Sequence, residues 1–246
     1  MVENKNWELT PTKNPLNWKD GEPTDICNSW YMVWYQAPWK FGYFNALKSN
    51  KEMQHTKDLK ENFIDLLKWR VDLLKKTGQN PVIVLPPRKS TWNQTMLFAV
   101  EALEDVEFIK IKSPDYRGVH FLVDRDERER TIQSVYPKWK VKFNPTVLEL
   151  KNVHYIFIDD YYTTGVTTKA VLNIIQENVR LPETNLENGE FTNFEAIYIS
   201  RTQNKRNAKS KNMWVVDPSL SEKVNKYAKE TKFTSSMRDS SFYKKQ

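Results

Sequence analysis

The stretch HYIFIDDYYTTGVTT, His154 to Thr168, changes character twice in fifteen residues. His154–Asp159 is a continuous apolar run, the pattern of a strand buried on both faces of a parallel sheet. It ends in two adjacent acids, Asp159 and Asp160. A Thr-rich, Gly-containing turn follows. From Thr167 the apolar residues recur at 170, 171, 174, 175 and 179, which is helical spacing. Strand, short loop, helix is the unit of an α/β fold.

The flanking sequence repeats that alternation. Residues 56–76 carry apolar side chains at 59, 63, 66, 67, 71 and 74, a helix that Gly78 is placed to stop. PVIVLPP (81–87) reads as a second buried strand, 91–104 as a helix, and 106–111 and 119–123 as strands. FEAIYIS (194–200) and WVV (214–216) complete the set. Seven consecutive charges, DRDERER at 124–130, sit inside an excursion over 112–145 that reads as mobile or hairpin-like. The fold class expected is α/β, a central parallel sheet flanked by helices. Ligands in such sheets sit at the carboxyl ends of strands. That singles out two loops, Pro86–Ser90 and Asp159–Thr168.

Residues 1–29 are rich in Asn, Pro, Thr and Lys and read as an irregular arm. Eight aromatics then fall within residues 30–44, of which WYMVWYQ (30–36) suits a strand. Aromatic platforms can stack bases; a small satellite core is the plainer account. Three regions are expected: an arm and aromatic-rich hood or subdomain (1–50), the core (51–216) and a basic C-terminal segment (217–246).

Composition narrows the classes. With 39% hydrophobic and 28% charged residues the chain is neither disordered nor collagenous. A single cysteine, Cys27, excludes an intramolecular disulfide framework or a Cys-based zinc module, and points to a reducing, cytoplasmic setting. No apolar run is long enough to cross a membrane, and the N-terminal residues lack a basic region followed by an apolar one, so neither a membrane span nor a secretory signal is expected. The net charge of +7 is uneven: residues 201–246 hold 12 Lys/Arg against 4 Asp/Glu, while the remainder is nearly neutral. Such a skew suits a nucleic-acid contact through 201–246, or simply a solvated, Lys-rich terminal region. The P-loop, dinucleotide-binding, zinc-protease and nucleophile-elbow patterns are all absent. His55, His120 and His154 are scattered, and His154 reads as a structural polar residue.

The chemistry concentrates at 159–168. Two adjacent carboxylates can accept from the vicinal hydroxyls of a sugar, or bind Mg²⁺ directly or through water. The N–H groups at the start of a helix are unpaired and carry partial positive charge, so they suit an anion. Gly165 permits close backbone approach or a positive φ. Diol acceptors beside a phosphate cradle describe a ribose 5-phosphate site; a Thr-capped helix after an Asp-terminated strand is the plainer description.

This stretch resembles the PRPP-binding signature of type I phosphoribosyltransferases, PRPP being 5-phosphoribosyl 1-pyrophosphate. The arrangement PPRKSTWNQ, ERTIQ, NPTVLEL and IDDYYTTGVTT most resembles the ComF-type branch. The likeness spans roughly residues 30–200 and is strong only at 154–168. It implies a catalytic set of Asp159, Asp160, Arg88 and Lys89. The acids would hold the ribose hydroxyls and Mg²⁺, and the two cations the leaving pyrophosphate. Tyr161, Tyr162, Thr163, Thr164, Gly165, Val166, Thr167 and Thr168 would bind the substrate, the last six around the 5-phosphate. The 112–145 excursion, with Thr131 and Gln133, would be a loop that closes over it. The partners implied are PRPP and a base-like nitrogen acceptor, with a homodimer allowed. Three features depart from the pattern. There is no cysteine-built zinc module. Tyr161 and Tyr162 stand where smaller aliphatics are usual. Thr163 replaces the acid that faces the base in purine-salvage members, which argues against a hypoxanthine or guanine enzyme. Two other readings stay open: a non-catalytic PRPP- or nucleotide-binding regulatory module that contacts nucleic acid, and a related nucleotide hydrolase or a transferase with a larger nucleic-acid or dinucleotide acceptor.

Overall fold

Five strands lie side by side in parallel, each supplying the hydrogen-bond partners the next one needs. The computed structural model describes residues 12–15, 25–36, 54–87, 96–113, 125–162, 165–179, 192–203, 219, 220, 222, 223 and 226. Its elements in chain order are β1 (Thr12–Pro15), β2 (Asp25–Gln36), α1 (Gln54–Lys76), β3 (Asn80–Val84), α2 (Leu97–Ala102), β4 (Glu107–Lys112), α3 (Arg125–Val135), β5 (Lys140–Phe143), β6 (Val153–Tyr162), α4 (Val166–Asn178) and β7 (Phe194–Gln203). They build one seven-stranded sheet in the order β1-β2-β7-β6-β3-β4-β5. The five inner strands are mutually parallel; the two edge strands, β1 and β5, run antiparallel to their neighbours. The expected α/β class therefore holds, with a mixed, mostly parallel sheet. No described helix is long and apolar enough to cross a membrane.

Helices cover both faces. All six apolar positions read on α1 are buried, and they pack with Met96 and Ala99 of the α2 region against Met32, Ile83, Ile156, Ile158, Ile197 and Ile199. The opposite face takes Ile132 of α3 and Ala170, Val171, Ile174 and Ile175 of α4 against Val82, Val84, Ile109, Ile111, Tyr155, Phe157, Ala196 and Tyr198. The stop at Gly78 is also present: φ is +76°, and the Gly78 and Gln79 N–H groups donate to the carbonyls of Lys75 and Leu74.

Three elements differ from expectation. The charged run forms a helix, α3, in place of a mobile excursion. Arg and Glu are good helix formers, and its opposite charges recur four residues apart. Thr131 and Gln133 therefore sit on that helix, not on a loop. The region remains hairpin-like in one sense, since β4 and β5 flank it as an antiparallel pair. Residues 25–36 of the expected arm and hood are a strand of the main sheet, bound in parallel to β7. Finally, β6 runs past the two acids to Tyr162, because β7 continues beside it and pairs with Tyr161 and Tyr162 through Ser200 and Arg201. The strands expected at 119–123 and 214–216 lie outside the described residues.

Candidate functional site

The strand order creates one place where the direction of winding reverses. From β3 the chain passes through α2 to β4 on one side; from β6 it passes through α4 to β7 on the other. Strands β3 and β6 are themselves neighbours, with Val84 opposite Phe157. Connections that leave adjacent parallel strands in opposite directions open a crevice at their carboxyl ends, the usual ligand position in such sheets. The two loops singled out in the sequence start there, one after Leu85-Pro86-Pro87 and the other after Tyr162, where β6 ends.

Asp159 and Asp160 are buried, with only 9% and 5% of their surfaces exposed. They lie within the strand rather than beyond its end. The Asp160 N–H donates to Asp159 Oδ1 at 2.8 Å, so the first carboxylate is held in place by the backbone of the second acid. Asp159 is level with Tyr198 on β7. Three residues later the Tyr162 ring packs edge-on against Tyr198 and Tyr31, with centroids 5.2 and 5.4 Å away. Phe157 contacts Tyr198 from the same face. Phe157 and Tyr162 are an odd number of residues apart, so the strict alternation of a strand is broken at the acids. Tyr162, expected at the substrate, has its ring committed to this aromatic cluster and is 2% exposed.

Gly165 begins α4 in the left-handed region, with φ +74° and ψ −1°. That conformation costs a residue with a Cβ roughly 1 kcal/mol or more. The first intrahelical bond closes from the Lys169 N–H to the Gly165 carbonyl, so the N–H groups of Val166, Thr167 and Thr168 precede the helical ladder. An anion at this end would meet three backbone donors and the positive end of the helix dipole. The side chains divide. Val166 is buried, Thr167 is half-buried, and the Thr168 hydroxyl is bonded to the Tyr198 hydroxyl inside the core. Thr168 can therefore offer a phosphate its N–H, while its hydroxyl ties α4 to the sheet. Burial pushes the Tyr198 phenol well above its ordinary range, with Cys27 and Tyr31 adding to the shift, so it remains a neutral hydroxyl.

Arg88, Lys89, Thr163 and Thr164 lie outside the described residues, as does the Tyr161 side chain. Among the described residues no cluster of three or more His, Cys, Asp or Glu could cage a metal ion. A pair of carboxylates suits Mg²⁺ that arrives with a polyphosphate and keeps waters of its own, the usual way this ion is held.

The two ends of the sheet differ. At the amino end Glu195 on β7 accepts two bonds from Arg70 of α1, at 2.8 and 2.9 Å, and one from Trp30 Nε1 at 3.0 Å. The Arg70 guanidinium also stands over the Trp30 ring. His154 Nε2 is 3.6 Å from the same carboxylate, an ion-pair distance longer than a hydrogen bond. Burial acts to raise the Glu195 pKa, but His154 and Arg70 outweigh it and bring it from 4.5 down to about 2. Sequence reasoning missed this cluster. Arg70 and Glu195 are 125 positions apart, and the only local signal was an acid interrupting an apolar strand.

No protein-family model matches the chain, and no curated protein matches it in sequence.

Proposed function

We propose that the chain is a phosphoribosyltransferase that binds PRPP in the crevice between β3 and β6 and transfers its 5-phosphoribosyl group to a nitrogen acceptor, releasing pyrophosphate. The observation that carries this reading is the meeting of an Asp159–Asp160 pair with a Gly165-started helix at the reversal of the winding. Sugar-diol acceptors and an anion cradle are thereby spaced by a single short loop.

The chemistry asks for positioning and charge stabilisation more than for proton transfer. Asp159 and Asp160 would accept from the ribose hydroxyls, and their negative charge would favour the cationic character that develops at C1 as pyrophosphate departs. The N–H groups of Val166, Thr167 and Thr168, with Gly165 and the preceding threonines Thr163 and Thr164, would fix the 5-phosphate. Arg88 and Lys89 follow β3 in the sequence and would take the pyrophosphate. Mg²⁺, held by Asp159 and Asp160 together with the substrate, would supply further neutralisation of the leaving group. The connection from β4 to β5 leaves from the carboxyl end of β4, and this 112–145 region would exclude water from the reacting carbon.

Calorimetry with PRPP, with and without Mg²⁺, tests the reading. Micromolar, Mg²⁺-assisted binding that vanishes in Asp159→Asn/Asp160→Asn supports it, and release of pyrophosphate with an acceptor base establishes turnover. A folded wild-type chain that does not bind PRPP overturns it. The basic skew of 201–246 favours a second reading, a PRPP- or nucleotide-binding regulatory module; binding without pyrophosphate release from any base would select it.

A further inference from the structure

Tyr198 touches the chain on both sides of the segment that joins β6 to α4. That segment is residues 163–165, between the end of β6 at Tyr162 and the start of α4 at Val166. Before it, the Tyr162 ring meets the Tyr198 ring edge-on, with centroids 5.2 Å apart. After it, in the first turn of α4, the Thr168 hydroxyl shares a hydrogen bond with the Tyr198 hydroxyl. On β7 the same residue stands level with Asp159. One side chain thus contacts the strand that carries the acids and the helix start that offers the anion donors.

The Tyr198 ring is held on further sides. Tyr31 stacks on it at 5.6 Å with 12° between the planes, and Phe157 meets it edge-on at 6.1 Å. Stacked and edge-on contacts of this kind have specific geometry. A ring so confined has little freedom to swing, so the hydroxyl at its tip has a fixed position. Thr168 depends on that position. Both residues are 1% exposed, and a buried hydroxyl without a partner costs free energy. Helix α4 also meets the sheet through Val166, Ala170, Val171, Ile174 and Ile175, but apolar burial is non-directional. The hydroxyl pair is directional, so it fixes where along and around its axis the helix begins.

We infer that Tyr198 is a positioning residue for the phosphate cradle: through Thr168 it sets the N–H groups of Val166, Thr167 and Thr168 at the reach from Asp159 and Asp160 that a ribose 5-phosphate spans. The inference rests on the PRPP reading of the crevice and adds what fixes the geometry of that site. Tyr198 itself touches no ligand. It acts by preorganisation, since donors already in place lose less motion when the ligand arrives. The pyrophosphate end, assigned to Arg88 and Lys89, lies outside its influence.

Calorimetry with PRPP and Mg²⁺, and separately with pyrophosphate, tests this on the wild type, Tyr198→Phe, Thr168→Val, Thr168→Ser and the double variant Tyr198→Phe/Thr168→Val. Each of Tyr198→Phe and Thr168→Val orphans one buried hydroxyl. The double variant replaces both partners, and its melting temperature should return most of the way to the wild-type value. Its PRPP affinity should not return, and should stay about fivefold below wild type, the change that corresponds to one lost hydrogen bond. The two single variants should show a similar loss. Thr168→Ser keeps the hydroxyl and should keep the affinity, and pyrophosphate affinity should be unchanged throughout. Should a single variant fail to fold, the double variant and Thr168→Ser carry the test. A wild-type chain that does not bind PRPP overturns the crevice reading and this inference with it. Wild-type binding with unchanged PRPP affinity in folded Tyr198→Phe, or affinity that recovers together with the melting temperature in the double variant, overturns the inference alone.

Discussion

Strands β6 and β7 carry acids at both ends, held in opposite ways. At the amino end Glu195 is gripped by Arg70 and Trp30, residues brought from α1 and β2 by closure of the whole fold. At the carboxyl end Asp159 is oriented by the amide of its own neighbour, and the helix that follows starts at Gly165. The first arrangement fixes a charge so that the layers stay in register. The second places two adjacent carboxylates at the crevice, beside the helix start that follows them. Burial by itself does not separate the two, since all three acids are at most 9% exposed.

Breaking the amino end should have the largest effect on stability. Glu195→Gln leaves a largely buried Arg70 without its counter-charge, and removing one partner of a buried pair typically costs about 3–5 kcal/mol. Denaturant unfolding should show that loss, while PRPP affinity stays as in the wild type. The same carboxylate sets a pH window. Its folded pKa, about 2, lies below the unfolded 4.5, so its contribution is complete above about pH 4.5 and disappears as pH falls through 2. Between those values the wild type should lose stability steeply and Glu195→Gln should lose much less.

At the other end the order of effects reverses. Asp159→Asn/Asp160→Asn should weaken PRPP binding by about 100-fold or more, two charge-assisted hydrogen bonds being worth about 3 kcal/mol together. The fold should tolerate the change, and calorimetry and melting on the same sample would show both. Two glycines sharpen the contrast, since Gly78 and Gly165 have nearly identical φ of +76° and +74°. Alanine at either should cost about 1 kcal/mol in backbone strain. Only Gly165→Ala should also reduce PRPP affinity, because only Gly165 starts the proposed phosphate cradle. The smallest effect is expected for Tyr198→Phe, which removes the hydroxyl pair with Thr168: about 1 kcal/mol of stability, with a loss of PRPP affinity of a few-fold as α4 loosens from the sheet.

Much of this was legible because apolar periodicity is local. The six buried positions of α1 and the stop at Gly78 follow from spacing alone, and the continuous runs at β3, β6 and β7 announce a parallel sheet. From that sheet the two loops at its carboxyl ends could be chosen. What could not be read depends on neighbours distant in sequence. The acids looked like the end of β6 because nothing local says that Ser200 and Arg201 extend the ladder beside Tyr161 and Tyr162. The charged run of α3 hid a helix because its only buried described position is Ile132, too little for an amphipathic stripe. The density of aromatics over 30–44 suggested a separate hood or subdomain, whereas Tyr31 stacks on Tyr198 within the core.

The seat of Tyr31 also bears on how the molecule is made. Strand β2 is made well before its parallel neighbour β7, the last strand among the described residues, and Tyr31 meets its partner Tyr198 only after the intervening described strands have been synthesised. Until then the aromatic strand has only the short β1 to pair with. Contacts this distant along the chain slow folding, and unpaired hydrophobic strands are the ones that aggregate or recruit chaperones while they wait. Assembly of the sheet is thus gated by its final strand.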